Sequence, residues 1–221
     1  MERNIILIDD LNVTFDLDAL GKKLGARSSA RMATLLQTLA DEARPIAKPK
    51  AAAKLCSLSL LPDDQVQLDD TVFKSALLKQ QVEGLGKAFP YVATEGEELA
   101  EWARSYTGLE RALANGLQYA AMSQARERLE AVILEKYGLE QVSAMNPGSL
   151  AVWPITQQTP LFDLLKPLPE KLGMTLLPSY MMKPEHSVSG IFFQTDSKFH
   201  NCQLCPQEAC PSRRVPYTGM V

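Results

Sequence analysis

The 221-residue sequence contains no hydrophobic stretch long enough to cross a membrane. A membrane-spanning helix needs about 20 consecutive, mostly apolar residues. The first apolar run, Ile5 to Ile8, is only four residues long and leads into Asp9 and Asp10. It is also too short for the core of a signal peptide. The sequence therefore predicts a cytoplasmic protein without a membrane partner.

An excess of positive charge is also lacking. The formal net charge is −3 at pH 7 and the isoelectric point is about 5.5. No basic block of the kind that binds a phosphate backbone occurs, so a nucleic-acid partner is not expected. The sequence also lacks an internal repeat and a grouping of general base and nucleophile. These absences disfavour a nucleic-acid-binding protein and a chain that itself catalyses a reaction.

The composition is that of a globular protein. Hydrophobic residues make up 46% of the chain and charged residues 22%, which is ordinary for a folded domain. The length suffices for one sizeable domain with its own core, or for one domain with an appendage.

Apolar residues at helical spacing predict the main helices. A serine can cap the first one, and a glycine closes the last one. The first predicted helix begins after Ser28 or Ser29 and ends before Pro45. The second spans about Thr71 to Leu85. A long helical region then spans Glu97 to Tyr137, with a division at Gly108 and a cap at Gly138.

Alternation of apolar and polar residues predicts strands at Cys56–Leu60 and Phe89–Ala93. Pro62, Asp63 and Asp64 form a turn after the first of these. The segment KPKAAAK, residues 48–54, is interpreted as a polar connector between elements.

Prolines and glycines become frequent after Gly138, which indicates turns and short elements. Thr159 and Pro160 open a short helix. Two strands are predicted at Met174–Met181 and Ser187–Phe193, joined through residues 183–186. The order of elements predicts an α+β fold, with a mostly antiparallel, twisted central sheet flanked by long helices and an irregular, cysteine-rich C-terminal tail.

The tail contains the strongest chemical signal. Cys202, Cys205 and Cys210 have the spacing C-x2-C-x4-C, and a proline follows the second and the third cysteine. Cytosolic thiols stay reduced, and three thiolates in a short loop can bind one iron–sulfur cluster or one zinc ion. Three inert thiols are the alternative interpretation.

The fourth ligand of such a site stays open. His200 lies next to the motif and can complete a Cys3His zinc set. A partner protein can fill the position instead, or it can remain vacant. Cys56 shares a strand face with Leu58 and Leu60, so burial in the core is expected for this thiol.

Several segments together resemble the activation (reactivation) domain of cobalamin-dependent methionine synthase, here as a free-standing protein. The segment from Asn146 to Phe193 contains a Pro-Gly turn, a short helix after Thr-Pro, a Leu-Gly-Met step and the run SYMMKPEHSVSG. The FPYVATEG segment and the QARERLEAVI helix extend the similarity over most of the chain.

The resemblance implies reductive reactivation of a corrinoid methyl carrier or of methionine synthase itself. S-adenosylmethionine would be the methyl donor, and the cobalamin would belong to a corrinoid-binding partner. A tail iron–sulfur cluster would relay an electron from a donor protein. The alternative is a docking module without redox chemistry, whose tail holds structural zinc. A chain that is itself a methyltransferase is the least favoured hypothesis.

The resemblance also implies ligand-binding residues at three places. They are the turn Asn146, Pro147, Gly148 and Ser149, the strand positions Ser187, Ser189 and Gly190, and Tyr180. Methionine synthase has an arginine three residues before the proline of the Pro-Gly turn and an aromatic residue after the glycine. This chain has Ala144 and Ser149 there, so a bidentate contact to a ligand carboxylate is missing from the pattern. We accordingly expect a domain over residues 1–198 and a metal-binding tail over 199–221.

Overall fold

The computed structural model describes residues 4–196, 198–207, 213 and 215–219, apart from the side chain of Ser28. The helices are α1 (Leu17–Lys23), α2 (Ala30–Ala43), α3 (Ala76–Gln81), α4 (Glu97–Arg104), α5 (Gly108–Tyr137), α6 (Gln158–Leu165) and α7 (Leu168–Lys171). The strands are β1 (Ile5–Ile8), β2 (Lys50–Lys54), β3 (Cys56–Leu61), β4 (Gln65–Leu68), β5 (Thr71–Lys74), β6 (Lys87–Thr94), β7 (Val142–Met145), β8 (Thr175–Leu176), β9 (Met182–Lys183) and β10 (Ser187–Gln194).

Eight of these strands form one antiparallel sheet with β6 at its centre. One edge of β6 pairs with β2 and then β3, which follow each other through Leu55. The other edge pairs with β10 along six residues, and β10 in turn pairs with β7. Strand β1 extends the sheet beside β2, and β4 and β5 extend it beside β3. Strands from both sides of Gly138 therefore belong to the same sheet.

Helices cover both faces of the sheet, as the nearly continuous runs of buried side chains along β2, β6 and β10 require. Helix α5 packs on one face, where Ala125, Leu129 and Ile133 contact Ala53 and Phe89 within one apolar cluster. Helix α6 covers the opposite face with Trp153, over residues that include Val66, Phe73, Ile191 and Phe193. A third cluster joins α2, α4 and the first half of α5. The observed architecture confirms the predicted α+β class.

Local signals for helix ends are also confirmed. The Ser29 hydroxyl accepts a hydrogen bond from the backbone N–H of Met32 at 3.2 Å and caps α2. Gly138 ends α5 in the left-handed conformation, with a φ of 62°. The long helical region is divided before Gly108, as predicted.

The interpretation of residues 48–54 as a connector was wrong. Residues Lys50–Lys54 form β2, and Ala51, Ala52 and Ala53 are fully buried in the sheet. Alanine and lysine have low strand propensity, so the segment carries no strand signal of its own. Small side chains suit this position because α5 packs directly over it.

The helix predicted from Thr71 was wrong over its first turn. Residues 71–74 form β5, in which Phe73 pairs with Val66 and is buried. Ser75 then caps α3 by accepting from the N–H of Leu78 at 3.2 Å. Thr71 and Val72 are β-branched, which favours the strand once β4 offers a pairing edge.

The strand predicted over 174–181 was also wrong in extent. Only Thr175–Leu176 is a strand, and it pairs with Met182–Lys183 across a turn. Pro178 has no N–H for a ladder, and Tyr180 adopts a positive φ of 63° in that turn. The predicted helix at Thr159 begins earlier, at Gln158, after a short 3-10 turn at Ile155–Gln157.

None of the helices in the described ranges combines the length and apolar character needed to span a bilayer.

Candidate ligand cleft

A cleft of about 370 Å³ lies between α5, the strands β7 and β10, and the beginning of the tail. Its volume falls within the range of roughly 300–1,000 Å³ that small-molecule sites occupy. We refer to it as the α5–tail cleft. It is lined by Tyr119, Met122, Ser123, Arg126, Val142, Ala144, Asn146, Ser149, Glu185, His186, Ser187, Val188, Lys198, Phe199, His200, Asn201 and Cys202.

Asn146 links three parts of this cleft. Its Nδ2 donates to the hydroxyl of Tyr91 and to the backbone oxygen of Ser189, both at 2.8 Å. Its Oδ1 accepts from Nδ2 of Asn201 in the tail at 3.2 Å. One amide therefore connects the end of β7 with β6, β10 and the tail, so that the tail residues lie against the sheet.

Arg126 enters the cleft from α5 and carries a positive charge. Its Nε donates to the Tyr91 hydroxyl at 3.3 Å, and the guanidinium lies 5.0 Å from the ring centre of Phe192. Burial opposes the charged form, but Tyr91, Glu130 and Glu127 outweigh burial and raise the pKa of Arg126. The side chain is therefore a cation held against aromatic rings.

A buried carboxyl group lies behind the cleft wall. Glu95 is fully buried, and its Oε1 accepts from the backbone N–H of His186 at 3.1 Å. Burial raises the pKa of Glu95 to about 7. Burial also lowers the pKa of His186, which lines the cleft. The next residue, Ser187, donates to Pro184 O at 2.7 Å and holds the strand entry in place.

The structure brings only part of the predicted ligand set to the cleft. Asn146, Ser149 and Ser187 line it. Pro147 is buried, and a side chain at Gly148 would meet Ile155 at 3.0 Å.

The remaining predicted positions lie outside the cleft lining. Ser189 points to the opposite face of the sheet, where its hydroxyl donates to Gln158 at 3.3 Å. A Cβ at Gly190 would lie 2.4 Å from the Asn146 amide, so this glycine makes room for Asn146. Tyr180 is half-buried in the β8–β9 turn.

Two of the predicted metal ligands also reach the cleft. His200 and Cys202 line it, whereas Cys205 packs against the cluster beneath α6. Arg213 donates to the backbone oxygens of Cys202 at 2.9 Å and Cys205 at 2.8 Å, and so draws the two together. Cys210 lies outside the described residues. Within the described part of the chain, no group of three or more metal-ligating side chains occurs.

Cys56 is buried in the core, as predicted, with 1% of its surface exposed. Burial, with a contribution from Asp69, raises the pKa of its thiol to about 12. A thiol so far from ionisation is a poor metal ligand.

Sequence reasoning missed Arg126, Glu95 and Lys198 as site residues. Arg126 stands in a helix directly before the charged residues Glu127 and Arg128, so nothing local marks it as inward-facing. Its position becomes visible only once α5 is laid over β6 and β10.

No family model and no curated protein sequence matches this chain. Among solved structures, the chain is similar to the crystal structure of the MetH reactivation domain bound to AdoHcy. The TM-score is 0.62 at 15% sequence identity, over 89% of this chain and 80% of the other. The predicted resemblance is thereby confirmed at the level of architecture: the chain has the fold of the methionine synthase reactivation domain.

Proposed function

We propose that this protein reactivates a corrinoid methyl carrier and that the α5–tail cleft binds S-adenosylmethionine. The observation that carries the proposal is the convergence of three predicted ligand residues, Asn146, Ser149 and Ser187, on a single cleft. The similar structure supports it, because that domain has the same fold and was solved with AdoHcy bound.

The reaction would proceed in two steps that balance. One electron from a reduced iron–sulfur cluster would convert inactive Co(II) of the partner's cobalamin to Co(I). Co(I) then attacks the methyl group of S-adenosylmethionine. The methyl–sulfur bond breaks, its electron pair stays on sulfur, and a cobalt–carbon bond forms. The effectively irreversible second step draws the unfavourable reduction forward.

The first test measures ligand binding to the full chain by calorimetry with S-adenosylmethionine and S-adenosylhomocysteine. We expect wild type to bind both ligands. Ser149→Trp should abolish binding, because the indole would fill the cleft from an exposed turn position. Ser179→Trp is the matched control, since Ser179 is exposed in a different turn outside the cleft lining. Absence of binding by wild type, or unchanged binding by Ser149→Trp, would contradict the proposal.

For the tail we propose an iron–sulfur cluster on Cys202, Cys205 and Cys210 that supplies the electron. The backbone contacts of Arg213 support this, because they fold the first two cysteines into one loop beside the cleft. Zinc has no redox chemistry, so it would leave the chain as a docking module.

The tail is tested by anaerobic iron, sulfide and zinc analysis with electron paramagnetic resonance. We expect iron in wild type and in Cys56→Ser, and no iron after any tail cysteine is replaced by Ser. Stoichiometric zinc without iron in wild type would favour the docking module over the electron relay. The same samples, with the cluster reduced and mixed with S-adenosylmethionine and a Co(II) corrinoid protein, should show methylation of the cobalt only when the tail cysteines are intact.

A further inference from the structure

Arg126 is buried at a place where the fold does not fully neutralise it. Only 13% of its side chain is exposed, yet Arg126 lines the α5–tail cleft. Within the described residues, its ion-pair partner is Glu130, one turn along α5, whose Oε2 lies 3.6 Å from Nη1 of Arg126. This distance exceeds that of a hydrogen bond, so the pairing is loose.

Glu130 is shared with a second cation. Its Oε1 accepts from Nζ of Lys198 at 2.8 Å, a closer contact than the one to Arg126. Two positive charges thus share one carboxylate of which only 14% is exposed. The other acid at the cleft, Glu185, lies 3.4 Å from Arg111. At ion-pair distance, Arg126, Lys198 and Glu130 form a group with a formal excess of one positive charge. Glu127, the next residue of α5, adds a smaller Coulombic contribution at Arg126.

The space beside the guanidinium is lined by a small side chain. Arg126 lies over Phe192, and Phe192 pairs with Ala144 across the β7–β10 ladder. Ala144 also lines the cleft, so the wall there is a methyl group. The amide donors of Asn146 already bond to Tyr91 and Ser189. Lys198 also lines the cleft, but its Nζ already donates to Glu130 at 2.8 Å, whereas Arg126 stays 3.6 Å from that carboxylate. A ligand anion that enters between α5 and β7 therefore meets Arg126 as the cation with the looser carboxylate pairing.

We infer that Arg126 is the residue that binds the carboxylate of the ligand in this cleft. The inference rests on the proposed function and adds to it the direction in which the ligand lies. The amino-acid end of the ligand would lie between α5 and β7, with its carboxylate completing the charge balance around Arg126. A planar guanidinium can offer two parallel N–H donors to a carboxylate, which lysine cannot do.

The test compares two ligands that differ at the amino-acid end. S-adenosylhomocysteine has the carboxylate, and 5′-deoxy-5′-methylthioadenosine keeps the adenosine and the thioether without it. We expect wild type to bind the first roughly ten- to hundredfold more tightly, as a charge-assisted pair implies. Arg126→Gln should reduce this preference nearly to unity and leave the affinity for methylthioadenosine close to that of wild type. Arg126→Lys keeps the charge, which protects folding, and should retain only part of the preference.

A double variant tests the geometry. Adding Ala144→Arg to Arg126→Gln places a guanidinium on the β7 side of the same cleft and should restore the preference for the carboxylated ligand. If Arg126 had a purely structural role, Arg126→Gln would weaken the binding of both ligands equally, and that result would overturn the inference. Equal wild-type affinities would also overturn it while leaving the cleft a nucleoside site. Binding of neither ligand by wild type would instead refute the proposed function.

Discussion

Glu95 shows how a single residue behind the cleft can make stability depend on pH. The carboxyl group is fully buried, and burial raises its pKa to about 7. Its backbone N–H donates to His186 O at 3.2 Å, so both the main chain and the side chain of Glu95 bind the segment before β10. The protonation state of Glu95 is therefore coupled to the wall of the cleft.

We predict that Glu95→Gln stabilises the protein in a pH-dependent way. The unfolded carboxyl ionises near its ordinary value of 4.5, whereas the folded one stays protonated up to about pH 7. Between these values the folded state holds more protons, so the free energy of unfolding of wild type falls as pH rises. Glutamine keeps an oxygen for His186 and removes the ionisation. The increase in the free energy of unfolding of Glu95→Gln over wild type should be near zero at pH 4 and up to about 3 kcal/mol at pH 8.

Urea unfolding of both proteins across that pH range measures the difference. Glu83→Gln, at an exposed surface position, is the control and should change stability by less than about 0.5 kcal/mol. A Glu95→Gln effect of the same size at pH 4 and pH 8 would refute the explanation.

At the scale of one element, β2 depends on small side chains. Ala53 pairs with Ile6 on one side and with Tyr91 on the other, and its methyl group faces α5. Ala125 of α5 belongs to the same cluster and is also fully buried. Alanines on both partners bring the helix close to the sheet, and α5 thereby positions Arg126 over Phe192.

We predict that Ala53→Leu destabilises the fold by about 1–3 kcal/mol, because the larger side chain forces α5 away from β2. Thermal unfolding followed by circular dichroism measures the loss. Ser59→Leu, an exposed position on the neighbouring strand β3, is the matched control and should be nearly neutral. Equal midpoints for Ala53→Leu and wild type would show that the α5–β2 contact tolerates extra volume.

At the scale of the whole molecule, the two tryptophans report on different clusters. Trp102 packs in the helical cluster of α2, α4 and α5, whereas Trp153 is fully buried beneath α6 on the other side of the sheet. The sheet joins the apolar cluster beneath α6 to the one beneath α5, because β6 and β10 contribute side chains to both faces. The helical cluster is joined to the sheet through α5.

We predict that the chain unfolds in one cooperative transition. Trp102→Phe and Trp153→Phe each leave one fluorescent reporter. Within each variant, the denaturation midpoint by tryptophan fluorescence should coincide with the midpoint by far-ultraviolet circular dichroism. Two separate midpoints for the Trp102 reporter would mean that the helical cluster unfolds independently of the sheet.

Local signals in the sequence were sufficient where neighbouring residues alone satisfy the backbone. The Ser29 cap, the Gly138 end of α5 and the alternation from Cys56 follow from contacts within a few residues. The burial of Cys56 followed from that alternation. These local signals located most of the long helices and several strands, and the order of those elements was sufficient to predict the class of fold.

Tertiary structure decided the features that depend on residues far apart in the chain. Lys50–Lys54 and Thr71–Lys74 are strands because β6 and β4 offer pairing edges, not because of their own propensity. The cleft combines α5 with β7, β10 and the tail, so Arg126 and Ala144 meet only after the helix lies on the sheet. Hydrophobic periodicity indicates which face of an element is buried, but it does not indicate which residues of another element contact that face. The order and spacing of elements therefore predicted the class of fold, and the resemblance to the reactivation domain implied three residues that line the cleft. Packing alone selected the cation that faces Phe192.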